Sequence, residues 1–134
     1  MKKIEYRVWD TELGKWYEPI YEAYKGNLFE LLLTPAGEIC ERTLEGFRHE
    51  SCFKGRYIVN QWTGLYDKNN NKIFEGDIVK VRGKTGFYTA KVEFVNGAFC
   101  AGIHESNDSR KIKPMLITRC EIVGNVYQNP EILL

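Results

Sequence analysis

IFEGDIVKVRGKTGFYTAKVEFVNGAFCAG, residues 73–102, alternates apolar and polar side chains between clusters of turn residues. A period of two is the mark of β-strands, whose successive side chains leave opposite faces of a sheet. Glu75-Gly76-Asp77 is read as the entry turn, followed by a strand over 78–82 and a second turn at Gly83-Lys84-Thr85-Gly86. A strand over 87–94 follows, and Asn96-Gly97 then returns the chain into 98–103. Asn-Gly is a strong hairpin signal, because a type I′ turn needs positive φ at both central positions. The alternation puts Val79, Val81, Tyr88, Ala90, Val92 and Phe94 on an inward, buried face. Lys80, Arg82, Lys91 and Glu93 point outward, with Ile78 on the same side as Lys80 and Arg82. A slip by one residue would exchange the faces, so the pattern is all-or-none.

The same punctuation extends in both directions. Residues 4–9 and 16–20 make an aromatic hairpin, and 28–34 and 38–42 pair around Pro35-Ala36-Gly37. Residues 57–63 form a strand, and 67–72, rich in Asn, form a turn of residues that tolerate left-handed angles. Only 43–54 shows a trace of helical spacing, interrupted by Gly46, and is expected to hold one or two helical turns. A polar excursion over 105–113 precedes strands over 115–118 and 120–127. Short strands with turns at this spacing point to a small barrel or sandwich, since closure removes exposed edges. The expected fold is mostly β, with small antiparallel strands and an SH3-like barrel in the C-terminal half. A β-rich lobe over 1–56 and a barrel lobe over 57–134 together make one domain.

Composition narrows the class. A chain of 134 residues with 43% hydrophobic residues has enough apolar material for a core. Its net charge of +1 argues against a protein built for bulk phosphate neutralisation. The charge is locally uneven, however: Lys80, Arg82, Lys84 and Lys91 run without an acid between them, as do Arg110, Lys111, Lys113 and Arg119. No apolar run follows the basic start, and none approaches the ~20 residues of a membrane helix, so the chain is read as cytosolic with no membrane contact. In that compartment the four cysteines, Cys40, Cys52, Cys100 and Cys120, are expected to be buried thiols.

Three segments carry a family resemblance: Arg7-Val8-Trp9-Asp10; QWTGLYDKNNNKIFEGDIVKV, residues 61–81; and CEIVGNVYQNPEIL, residues 120–133. Their order and wording resemble the YopX family, small proteins encoded by bacteriophages and prophages. The departures are mild: Trp62 and Phe74 stand where another aromatic is usual. The resemblance implies a β-rich, phage-related protein of the bacterial cytoplasm. It implies no reaction, and no catalytic residue is carried over from it. The motif residues, Arg7, Trp9, Asp10, Trp62, Thr63, Gly64, Asp67, Glu75, Gly76, Asp77, Gly124, Asn125, Asn129 and Pro130, are read as folding residues. Gly, Asp and Asn stand where turns need them, and Gly124 inside a strand suggests a bulge or close backbone approach.

Sites of chemistry are sparse. His49-Glu50-Ser51-Cys52 with Cys40, and Cys100 with His104, supply donors, but structural zinc sites use paired Cys-x₂₋₄-Cys knuckles and none is present. Cys–His pairs lack any local nucleophile signature. Glu75 and Asp77 resemble a turn pair more than a general acid and base. Gly83–Gly86 is followed by a strand, where a phosphate loop requires a helix. No catalytic residue, metal or cofactor is expected. Lys80, Arg82, Lys84, Lys91, Lys111 and Lys113, with Phe87 and Tyr88 beside the first three, form the candidate nucleic-acid strip. The aromatic supply, three Trp and eight Tyr, favours instead a protein-interaction or self-associating module, with a second copy or a host or phage protein as partner.

Overall fold

The computed structural model describes residues 3–83, 86–102, 113–114 and 120–133. The chain is mostly β, built from antiparallel sheets. It divides into two compact units, one of residues 8–59 and the other of 1–7 with 60–134. Both divisions fall within strands, in β1 (Tyr6–Asp10) and β7 (Tyr57–Tyr66).

The larger unit contains the quoted stretch. β8 (Lys72–Phe74) is followed by β9 (Asp77–Gly83), β10 (Gly86–Val95), β11 (Ala98–Gly102), β12 (Lys113–Pro114) and β13 (Cys120–Asn125). Five of these make a half-barrel sheet in the order β12-β11-β10-β9-β13. The strand expected over 115–118 lies outside the described residues, as does His104. Asn96 and Gly97 have φ of 51° and 82°, the left-handed pair that the tight hairpin requires. Register carries the alternation into a core, with Tyr88 opposite Val81, Ala90 opposite Val79 and Val92 opposite Ala101. Ile73, Val79, Ala90, Val92, Ala101 and Cys120 form one buried cluster, with Val81 and Tyr88 half-buried against it.

Two side chains depart from the pattern. Phe94 was expected inward but is 56% exposed, packing edge-on to Phe99 at 5.0 Å. It lies one residue before the end of β10, where the chain turns at Asn96-Gly97. Ile78 shares the face of Lys80, yet it is fully buried. It stands opposite Gly124, where β13 shifts register. Alternation assigns a face; what lies over that face decides burial.

In the smaller unit, β2 (Lys15–Trp16) pairs with the end of β1, Trp9 opposite Trp16, and their rings meet edge-on at 5.0 Å. β3 (Ile20–Glu22), β4 (Asn27–Leu33), β5 (Ile39–Thr43) and β6 (Gly46–His49) form a four-stranded sheet in sequence order. The helix expected over 43–54 is replaced by the β5–β6 hairpin and a 3₁₀ turn at Glu50–Cys52. Gly46, with φ of 115°, turns the chain so that Arg42 and Phe47 fall into register. Pairing with β5 overrode a weak local helical pattern. The cysteines also divide: Cys100 and Cys120 are buried, Cys40 is half-buried and Cys52 is exposed, against the expectation of four buried thiols. Two of the four sit in the smaller unit, which buries fewer apolar side chains. No helix among the described residues is long and apolar enough to cross a membrane.

Candidate functional site

Four motif residues of the larger unit, Arg7, Glu75, Gly76 and Asp77, meet at the β8–β9 turn. Arg7 reaches Asp77 at 2.8 Å and donates to the Glu75 carbonyl at 3.1 Å and to Asn60 Oδ1 at 3.3 Å. Asn60 in turn donates to the Tyr127 hydroxyl at 2.9 Å, and Glu75 accepts from the Gln61 N–H at 2.9 Å. A Cβ on Gly76 would stand 3.3 Å from both Asn60 and Tyr127, at a φ of 82°. Burial pushes the Asp77 carboxyl up even with the Arg7 guanidinium beside it. Thr63 donates to the Ile73 carbonyl at 2.8 Å, and the Trp62 indole donates to the Leu65 carbonyl at 3.0 Å, across the irregularity in β7 that contains Gly64.

Asp67 ties the Asn-rich turn to β13. Its carboxylate accepts from the N–H groups of Asn69 and Asn71, each at 2.9 Å, and of Ile122 at 3.1 Å. Burial raises its pKa, but these N–H groups outweigh burial and hold the carboxyl below its ordinary value. Asn125 accepts from the Tyr127 and Gln128 N–H groups, while Asn129 accepts from the Asn125 N–H at 3.3 Å. Asn129 leaves no room at Gly124, where a Cβ would meet it at 2.7–2.9 Å. Pro130 opens the last 3₁₀ turn, Pro130–Leu133. Arg7, Trp62, Thr63, Asp67, Glu75, Asp77, Asn125 and Asn129 each bond a backbone group.

In the smaller unit the buried charges also face each other. Arg56 grips Asp10 through two nitrogens at 3.0 and 3.2 Å, and Tyr57 donates to Glu41 at 3.0 Å. Burial pushes the Asp10 carboxyl up, but Arg56 and the Leu13 and Glu12 N–H groups bring it below its ordinary value. Burial and the adjoining Glu41 raise the Tyr57 hydroxyl strongly. Trp9, the remaining motif residue, is buried against Trp16.

Of the basic strip, Lys80 and Arg82 are exposed on β9, and the Lys80 ammonium lies 4.8 Å above the Phe87 ring. Phe87 stands opposite Arg82 and is 65% exposed. Acids interleave: Glu121 faces Lys80 across the β13–β9 pair, and Lys91 contacts Glu93 at 3.4 Å. Lys84 and Lys111 lie outside the described residues, and Lys113 is placed on β12 by its backbone alone.

A surface that the sequence reading did not single out lies on the smaller unit's sheet. Register aligns Tyr21 with Leu28, Leu32 with Cys40, and Arg42 with both Glu30 and Phe47 on one face. Tyr21 and Phe47 are 63% and 68% exposed, Leu32 is exposed as well, and no residue of this face is buried. At its centre Glu30 accepts from Arg42 at 2.9 Å and from the Tyr21 hydroxyl at 2.7 Å. The opposite face buries Ile39 and Glu41. At the sheet end, Cys40 lies opposite His49, but the residues gathered around the imidazole are Glu38 and Glu50. His49 and Glu50, with Ile39, Ser51, Phe53 and Tyr57, line a cavity of about 300 Å³. Glu38 carries no motif. Only the hairpin register, which places it diagonal to His49, could have revealed the grouping.

A family model described as YopX protein matches residues 5–134. A crystal structure of protein EF1440 from Enterococcus faecalis superposes with a TM-score of 0.58 at 22% identity, covering 98% of this chain and 99% of that one. An X-ray structure of protein yopX from Bacillus subtilis gives a TM-score of 0.58 at 21% identity, over 96% and 97% of the two chains. At these identities the likeness is one of fold. None of the curated proteins matches the chain.

Proposed function

This chain belongs to the YopX family, and from that premise we propose that it acts by binding rather than by catalysing a reaction, with a second copy of itself as the first partner. The observation that carries this reading is the sheet face of Tyr21, Leu32 and Phe47, which leaves large apolar side chains exposed around a closed Glu30–Arg42 pair. Exposed apolar patches rimmed by polar groups mark interaction surfaces. A second copy suits the face because its charges are already internally matched, so two such faces meet across a two-fold axis without like-charge conflict. β6 is the edge strand of this sheet among the described residues and is exposed along its length beside Phe47. The setting implied by the family resemblance is a phage or prophage in a bacterial cytoplasm.

Light scattering coupled to size exclusion tests this. The wild type is expected to run as a dimer or larger at tens of micromolar, and Leu32→Glu with Phe47→Glu to run as a monomer. A monomeric wild type at that concentration sinks self-association and leaves a host or phage protein as the occupant.

A second reading, nucleic-acid binding, is favoured by Lys80 and Arg82 flanking the exposed Phe87, a cation and ring arrangement that suits single strands. It predicts salt-dependent binding whose log–log slope becomes shallower by about 1.4–1.8 units when Lys80 and Arg82 are changed to Ser. Absence of binding by the wild type at physiological salt removes it.

A further inference from the structure

We propose that Glu38, His49 and Glu50 form a binding site for one divalent transition-metal ion. The three side chains each offer one donor atom, and all three atoms lie within 4.8 Å of one another. Two ligands bound to one ion at about 2.1 Å sit no more than about 4.2 Å apart, so a small rotation of the two half-exposed carboxylates closes the set. One imidazole with two carboxylates matches the borderline ions, zinc among them, and leaves coordination positions open.

The backbone brings the three together independently of any ion. Glu38 precedes β5, His49 ends β6 opposite Cys40, and Glu50 opens the 3₁₀ turn that follows. Glu50 is anchored through one oxygen, which accepts from the Ile39 N–H at 3.0 Å, and among the described residues its other oxygen has no hydrogen-bond donor. His49 Nε2 meets Glu38, while Nδ1 lies 3.0 Å from Ser51 Oγ. With a cation on Nε2, the imidazole stays neutral and its proton moves to Nδ1, where Ser51 Oγ accepts it. The longer contact of the Ser51 N–H with Nδ1, at 3.3 Å, is then given up. Metal-bound histidines fix their ring by donating from the far nitrogen to an acceptor, and Ser51 Oγ stands here where a carboxylate, carbonyl or water is usual. The adjoining cavity of about 300 Å³, to which His49 and Glu50 contribute, supplies access and room for the remaining ligands.

This assignment differs from the cysteine-based zinc site considered from the sequence, because carboxylates rather than thiols surround the imidazole. Cys52 is exposed and is a thiol competitor, so the experiment uses a Cys52→Ser background. Zinc titrated by calorimetry into that protein is expected to bind at one site per chain. His49→Ala weakens binding at least about 100-fold, while Ser51→Ala, which removes only the support of the ring, weakens it about 10-fold. Unchanged circular dichroism shows that each variant is folded; should His49→Ala not fold, Glu38→Gln takes its place with the same expected loss. The assignment is overturned if Cys52→Ser alone abolishes binding, if neither His49→Ala nor Glu38→Gln weakens it, or if no saturable site appears at micromolar zinc.

Discussion

The two units solve the problem of a small β-fold differently. The larger one gathers Ile73, Val79, Ala90, Val92, Ala101 and Cys120 into a continuous apolar cluster beneath its sheet. The smaller one buries only Trp9 and Ile39 among its apolar side chains, and relies on edge-on ring pairs and the Arg56, Asp10, Glu41 and Tyr57 network. Hydrophobic burial scales with area removed from water, so the larger unit draws more of its stability from that term. A sheet with one uncovered face gives up this burial and leaves that face to solvent, which is where the proposed binding surface lies. The difference teaches where to look for binding: in the unit that invested less in its own core.

The largest expected effect contrasts the two cores. Ile73→Ala should cost about 4 kcal/mol in denaturant unfolding, because the side chain is fully buried in the core cluster and its removal leaves a cavity that relaxation fills only in part. Ile39→Ala should cost about 2 kcal/mol, since Ile39 already borders a cavity and loses fewer contacts. Equal costs, or the reverse order, would break the comparison.

Next comes Asp67→Asn, expected to cost about 2 kcal/mol, because the amide nitrogen that replaces Oδ2 opposes the Ile122 N–H donor. Its pH dependence has a definite sign. The folded carboxyl is held below its ordinary value of 3.8, so its contribution is complete above that range and is lost as pH falls through the folded value. The variant should therefore show a shallower acid decline than the wild type. An identical acid profile would mean that these backbone donors do not act on the carboxylate.

Asp10→Asn in the smaller unit should cost less, about 1 kcal/mol, since Arg56 retains Glu12 and Glu41 within 3.5 and 3.9 Å. Added salt should change the contributions of Asp10 and Asp67 little, because both carboxylates are buried and screening acts weakly on buried charges. The smallest effect is expected at Phe47→Ser: a change within about 0.5 kcal/mol at nanomolar concentration, where the proposed self-association would make no contribution. A larger loss there would show that the exposed ring supports the fold itself.

Much of this architecture was legible along the chain. The period of two in residues 78–94 names the buried face of β9 and β10, and Asn96-Gly97 names the turn between β10 and β11, because side-chain direction and φ preference are local properties. The close approach at Gly124 was equally visible as an isolated glycine in a strand. Other features needed the assembled chain. Alternation could not separate Phe94 from Val92, which share a face, or Ile78 from Lys80, which share the other, because burial depends on what covers each position. Weak helical spacing over 43–54 yielded to pairing with β5, a contact that local propensity does not contain. The grouping of Glu38 with His49 and Glu50, and the alignment of Tyr21, Leu32 and Phe47, arise from register between strands. Sequence sets which way a side chain leaves its strand; only the fold decides what it meets there.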